Sequence, residues 1–401
     1  MPHERILYRE ASMADGRSAS LRVGVSVLVE GGHISWIRPS DGEEDLGSGE
    51  VAVVDASGAT IVPGMVDSHS HVTGPGGAHW IDRFLDKPER ALEAAEENGR
   101  LARAAGVAWF RDVGSMTDTD PHDGRRRALA LGVRDRWTAA RRADVPYIRA
   151  AGSWIFGAGA GISERDIQAA NGDELVAAVN HQLDDGADLI KLYLDGPDPA
   201  VAPWSVDEVK RAVAAAHDRG KKVTAHSGKL DGARVGAEAG IDSLEHGFEI
   251  DADVAATMKR NGVAQVSTLA VMESWLTFGR TTMLPRFAED EGRAKIMDRR
   301  ERARESVRIA EAAGVAICAG TDFGGGSLRA NQLAWEVESL VAAGIEPWQA
   351  LAAATWRGGE LLGEPDAGVI REGGPAAFFL VHGDPLSDPA ALWRVWRVSP
   401  E

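Results

Sequence analysis

A chain of 401 residues has room for one large α/β unit of about 250 residues plus a small appendage, and its 44% hydrophobic and 26% charged content is ordinary for a globular protein. Lys plus Arg number 44 against 61 Asp plus Glu, a net charge of −17 that disfavours nucleic acid and offers no basic patch to an anionic membrane. The start MPHERILYREASMADG has no secretory pattern, no apolar run is long enough to span a bilayer, and the single Cys318 has no partner for an internal disulfide, so a cytoplasmic protein is expected.

From the N-terminus, ERILYREA, SLRVGVSVLVE, GHISWIRP and VAVVDASGATIV are short, partly alternating runs divided by Gly, Asp and Ser, the pattern of antiparallel strands. Eight further strand-like runs follow: GMVDSHSH, VAWFRDV, YIRAAG, ADLIKLYL, KKVTAHS, IDSLEHG, VAQVSTL and VAICAGTDF. Helix-patterned stretches separate most of them, including KPERALEAAEENGRLARAAG and SVDEVKRAVAAAHDRG, each ending in Gly. Strands alternating with helices imply parallel βαβ units, and eight of them suggest a closed (β/α)8 TIM barrel with its chemistry at the C-terminal ends of the strands. The run KIMDRRERARESVRIAEAAG interleaves Arg with Glu and reads as a solvated helix face rather than an anion site. The tail from GVIREGG through AAFFLVHGDPL is strand-like again.

Within this frame His69 and His71 stand two apart at the tip of the first of the eight runs. Side chains two apart on a strand share a face, so both imidazoles converge as a metal chelate would require. Four other runs carry a ligand-type residue or its precursor in the same place: Lys191, His226, His246 and Asp322. An unmodified Lys191 ammonium repels a cation, and the residue could equally pair with a carboxylate such as Asp322. Tyr193 shares the strand face of Lys191, where its phenol suits either a developing oxyanion or simple packing.

The ordered set PGMVDSHSH, FRDVG, GADLIK, GIDSLEHG, AGTDFG and GVIREGGPAAFFLVHGDPL resembles the metal-dependent amidohydrolase superfamily, in the imidazolonepropionase-like and bacterial prolidase-like branch. The resemblance covers nearly the whole chain. It implies that residues 1–62 and 363–401 join in a small discontinuous β-sandwich beside a barrel of residues 63–362. It implies two divalent metal ions, most simply zinc, bridged by a carbamate on Lys191 and by a hydroxide. His69, His71, Lys191 and Asp322 would hold one ion and Lys191, His226 and His246 the other. Asp322 would accept a proton and pass it to the departing nitrogen, and Arg111 and Asp112 would support the ligands. The implied reaction is hydrolysis of an amide-type C–N bond in a small molecule: peptide-like, N-acyl, carbamate or urea. A mononuclear deaminase or cyclic-amide hydrolase using His69, His71, His226 and Asp322, and a catalytically silent interaction protein, are the alternatives. A homo-oligomer stays open.

The loops depart from the family. SWIFGAGAGIS follows the third run where many relatives carry a histidine, YLDGPDP follows the fourth, and Leu328 and Arg329 precede Asn331 after the eighth. Trp80, Trp154, Phe156, Trp275 and Phe323 fall just after strands and suggest an aromatic pocket beside Tyr193, with Lys229 and Arg329 as candidate anion contacts. His79, His122, His181 and His217 read as surface or packing residues, and Cys318 as a buried small hydrophobe.

Overall fold

The computed structural model of the protein describes residues 5–43, 46, 51–161, 163 and 165–399. The ends of the two terminal segments, part of the loop before Val51, and Ile162 of the stretch after the third run lie outside the described residues.

Eight parallel strands follow one another in chain order around a ring: Met65–Ser70, Val107–Asp112, Tyr147–Ala150, Leu189–Tyr193, Lys222–Ser227, Ser243–His246, Ala264–Ser267 and Ile317–Ala319. They coincide with the eight runs read from the sequence. The third and fourth are joined by a bridge between Ala151 and Leu189 and by the Asp188 amide donating to the Ala150 carbonyl at 2.9 Å. The eighth meets the first where Asp322 N donates to His69 O (2.8 Å) and His71 N to Phe323 O (3.0 Å). The strands are buried apolar runs because both faces are covered, one by the ring interior and the other by helices.

Local sequence explains where the helices start and stop. Pro88 occupies the first turn of Pro88–Ala104, where its missing N–H costs nothing. Ser205 and Glu208 form a reciprocal capping box at the start of Val206–His217. Left-handed Gly240 and Gly262 close Leu230–Ala239 and Ala252–Asn261.

The two ends of the chain meet in one seven-stranded sheet. Ala59–Pro63 pairs antiparallel with Phe378–His382, which pairs with Val395–Ser399, while Arg5–Met13 pairs with Arg22–Glu30 and through it with His33–Pro39. Arg5–Met13 runs parallel to Ala52–Asp55 over its first half and to Ala59–Pro63 at its end. Its register shifts around Ala11, beside Glu10 at φ +60°. A strand bent in this way can serve two layers while its hydrogen bonds remain continuous. Ile6 and Tyr8 belong to one apolar cluster and Leu7 to another, so the strand has two apolar faces. Among the described residues no helix is long and apolar enough to cross a membrane.

Candidate metal centre

The C-terminal ends of the ring strands surround a cavity of about 270 Å3 lined by His69, His71, Lys191, His226, His246 and Asp322. Tyr193, Trp80, Ile81, Phe84, Trp154 and Gly325 complete its wall. The residues that the sequence placed on five different strands therefore face one space.

His69 Nδ1 lies 2.6 Å from Glu245 Oε2, and His71 Nδ1 lies 2.7 Å from the carbonyl of Gly114. Both partners only accept, so both Nδ1 atoms carry a proton, and in the neutral ring each Nε2 keeps a lone pair. Yet the two Nε2 atoms face one another at 3.3 Å, and each is also 3.3 Å from Asp322 Oδ1. With neutral rings, three electron-pair donors converge, an arrangement that a cation resolves. His69, His246 and Asp322 bring ligand atoms within 4.8 Å of one another. Burial holds His246 well below its ordinary pKa and lowers His226 also, which keeps both rings neutral and able to ligate. His226 Nε2 faces Asp195 Oδ2 at 3.3 Å, leaving Nδ1 as its lone-pair atom. The donor set fits divalent metal.

Lys191 is buried, and burial pulls its pKa down to about 8 against the opposing pull of Glu245 and Asp322. Among the described residues its amine makes no ion pair and no hydrogen bond. The structure therefore does not draw the Lys191–Asp322 pair that the sequence left open.

His246 and Asp322 both adopt positive φ, +67° and +56°. Left-handed backbone in non-glycine residues is costly and is held here by the surrounding pairing. At His246 it breaks the alternation of the strand, so that consecutive Glu245 and His246 both reach the interior. Glu245 is a site residue the sequence reading missed. It accepts from Arg111 Nη1 (2.9 Å) and from the Thr224 hydroxyl, and although burial acts the other way, Arg111 and His69 hold its carboxyl well below the usual range. Arg111 also donates to Ser68 O (2.9 Å) and Ser243 Oγ (2.7 Å). Asp195 was missed too: it orients His226 while accepting from Ser227 Oγ and Gly228 N, each at 2.9 Å. Asp112 accepts from Val72 N (2.6 Å) and Gly114 N (3.0 Å), fixing the carbonyl that holds His71. Gly114 is required there, because its φ is +126° and a Cβ would lie 2.5 Å from the Trp154 ring.

The expected pocket residues divide. Trp80 and Trp154 line the cavity, Trp154 lying edge-on to His71 with ring centroids 5.3 Å apart. Tyr193 lines it as well, stacked on His226 at 3.8 Å, and burial raises its phenol pKa so that it remains a donor at neutral pH. Phe156 sits behind Tyr193 at 4.5 Å, and Trp275 backs Trp80 at 5.7 Å. Phe323, turned by the left-handed Asp322, is fully buried against Phe110 rather than lining the cavity. Lys229 is taken by Glu249 at 2.8 Å, and Arg329 donates to the carbonyl of Pro75, so neither cation is free. Ile81 and Phe84 line the wall without having been singled out; they belong to the short helix Trp80–Arg83 and its C-terminal cap, where the sequence signalled only Trp80. Of the other histidines, His79, His181 and His217 face Asp82, Asp185 and Asp242, and none of these, nor His122, lines the cavity. Cys318 is buried, and burial pushes its thiol up to about 12.

A strand ring carrying a histidine and aspartate cluster at its mouth is the setting of metal-assisted hydrolysis, and the comparisons agree. The Amidohydrolase family matches residues 60–398, and the chain belongs to that family. It is 31% identical over 348 residues to an uncharacterised protein of Mycobacterium tuberculosis (strain H37Rv), covering 84% of this chain and 82% of that one. An imidazolonepropionase of Anaeromyxobacter dehalogenans is 28% identical over 391 residues, covering 90% and 85%. The crystal structure of a Xaa-Pro dipeptidase with bound methionine superposes with a TM-score of 0.82 at 25% identity, covering 98% and 97%. The protein is an enzyme of the amidohydrolase superfamily, a hydrolase acting on amide-type C–N bonds.

Proposed function

We propose that the protein is a cytoplasmic (β/α)8-barrel hydrolase, with residues 1–62 and 363–401 as its companion β-sandwich and 63–362 as the barrel. In this reading two zinc ions are held at the mouth and a small amide, N-acyl compound, carbamate or urea is cleaved. The observation that carries it is the convergence of His69 Nε2, His71 Nε2 and Asp322 Oδ1 on one another at 3.3 Å. His69, His71 and Asp322 would hold the first ion, His226 and His246 the second, and Lys191, as a carbamate, both. A Lys191 pKa of about 8 leaves roughly a tenth of the amine neutral at pH 7, the form that captures carbon dioxide. When bound, the ions supply Lewis acidity, polarising a carbonyl and making hydroxide available at neutral pH.

The chain's own residues do the rest. Asp322 takes a proton at its carboxylate and returns it to the departing nitrogen. Tyr193, still protonated, donates from its hydroxyl to the developing oxyanion. Arg111 and Glu245 keep His69 in the tautomer that presents Nε2, and Asp195 orients His226. Trp80, Trp154, Phe84 and Ile81 take the apolar part of the substrate and exclude water. The closeness of His69, His246 and Asp322 also favours a second reading, a single-ion site built on those three. Metal analysis separates the two: the binuclear reading expects two equivalents per chain, with Lys191→Ala losing most of the second. One equivalent in fully active wild-type protein excludes it.

A further inference from the structure

The Arg-rich helix Asp290–Ala312 follows the seventh ring strand, and most of its arginines are paired. Arg300 and Arg304 meet Glu273 at 3.4 and 2.7 Å, Arg302 meets Asp298 at 2.9 Å and Glu249 at 3.3 Å, and Arg308 meets Glu305 at 2.7 Å. Arg293 donates to the Leu276 carbonyl at 3.2 Å. Arg299 differs from all of them: among the described residues it makes neither an ion pair nor a hydrogen bond.

Its guanidinium lies over the ring of Phe248, 4.6 Å from the centroid, and 5.8 Å from that of Trp275. Both rings stand directly behind residues of the site wall. Phe248 packs 5.1 Å from His246, and Trp275 is stacked on Trp80. Nη2 also faces the backbone at Gly228, where a Cβ would be 3.3 Å from both Arg299 Nη2 and Asp195 Oδ2. Burial lowers the guanidinium pKa against the smaller opposing pull of Asp195 and Glu249, neither of which forms an ion pair with it. Contact with aromatic faces compensates only part of that loss. The nearby carboxylates are already engaged, Asp195 by His226, Ser227 and Gly228, and Glu249 by Lys229 and Arg302. The planar donor fork of Arg299 is therefore unclaimed beside the cavity in a protein whose net charge is −17.

The rings run in order from Trp154 through His71, His69 and His246 to Phe248, with Arg299 beyond. Arg299 thus lies at the end of the row opposite Trp154, beyond Phe248 and behind the wall that Trp80 and Trp275 form. We propose that Arg299 is the anion anchor of the substrate site, so that the substrate is an N-acyl amino acid with an apolar acyl group, its carboxylate held by Arg299. The assignment rests on the hydrolase reading above and replaces Lys229 and Arg329 as the anion contact.

Zinc-loaded wild type, Arg299→Met and Arg299→Lys should be compared for binding and hydrolysis of N-benzoyl-leucine and its primary carboxamide. A hydrogen-bonded charge pair corresponds to about 10- to 100-fold in affinity. Wild type should bind the acid more tightly by that factor. Arg299→Met should lose the preference through KM rather than kcat, and Arg299→Lys should keep part of it. Should Arg299→Met unfold, Arg299→Gln repeats the measurement. Equal binding of acid and carboxamide by wild type, no binding of the acid, or a preference that survives removal of the charge overturns the assignment. Charge-dependent binding without hydrolysis of either compound keeps Arg299 as an anion contact and overturns the N-acyl amino acid as substrate. Hydrolysis of both with equal efficiency does the reverse.

Discussion

In the terminal sheet, neighbours on a strand go to opposite faces, as Leu7 and Tyr8 do, and the space between elements is filled by apolar side chains such as Phe378, packed at 5.1 Å against Tyr8. At the mouth of the ring, neighbours such as Glu245 and His246 face the same way, two non-glycine residues take left-handed backbone, and buried charges sit where a sheet would place aliphatics. Both regions are built of paired strands, and both depart from regular backbone locally. In the sheet the departure, around Glu10 and Ala11, bends one strand between two layers; at the mouth the departures, at His246 and Asp322, turn polar side chains into the cavity. The departures are costly locally and persist because the pairing and the glycine contacts around them leave no alternative.

That contrast is tested most sharply at Asp322. Asp322→Asn keeps the shape but removes the carboxylate proposed above as proton acceptor and metal ligand. Turnover should fall by about a thousandfold or more, equivalent to roughly 4 kcal/mol of barrier, while the melting temperature moves by only a few degrees. Residual activity within tenfold of wild type would show that the proton goes elsewhere.

A second test sets the two regions side by side. Arg111→Met strips Glu245 of its buried partner, and Phe378→Ala opens a cavity in the terminal sheet. Each should cost about 3–5 kcal/mol in denaturant unfolding. Only Arg111→Met should lower turnover per folded molecule, because only Arg111 steadies the carboxylate that orients His69. Equal loss of turnover in both would mean that the sheet and the mouth are coupled.

What the sequence made legible follows the same division. All eight ring strands could be read, because apolar runs between helix-patterned stretches follow directly from burial on both faces. That His69 and His71 face one cavity could be read because they obey strand parity. Glu245 could not, since parity assigns it to the face opposite His246 and only the left-handed turn at His246 brings both inward. Phe323 failed for the corresponding reason after Asp322. Asp195 was hidden in a loop noted only for differing from relatives, although an acidic residue two positions beyond Tyr193 was a usable signal. Arg299 was hidden in the interleaved charges of its helix: composition shows that partners exist, not which arginine lacks one.

The smallest effect concerns Glu336, a buried carboxyl on the helix Leu333–Ala342 behind the seventh ring strand. It takes hydrogen bonds from Ser267 Oγ (2.6 Å) and Ala270 N (2.7 Å), yet burial outweighs them and raises its pKa to about 8. Between about pH 4.5 and 8 the folded protein therefore holds a proton that the unfolded chain has released, so stability falls as pH rises through that window, by at most about 1.4 kcal/mol per pH unit from this group. Glu336→Gln mimics the protonated acid: its amide can donate to Ser267 Oγ while its carbonyl accepts from Ala270 N. Near pH 5 the variant should melt with wild type, and by pH 8 it should be the more stable of the two. Burial raises Asp67 to about 7 and Asp112 to about 6, so both chains should lose stability towards alkaline pH, and the gap between their curves isolates Glu336. Parallel melting curves from pH 5 to 8 would mean that Glu336 ionises normally, and that the protein tolerates an unpaired buried charge behind its site as readily as it tolerates paired ones within it.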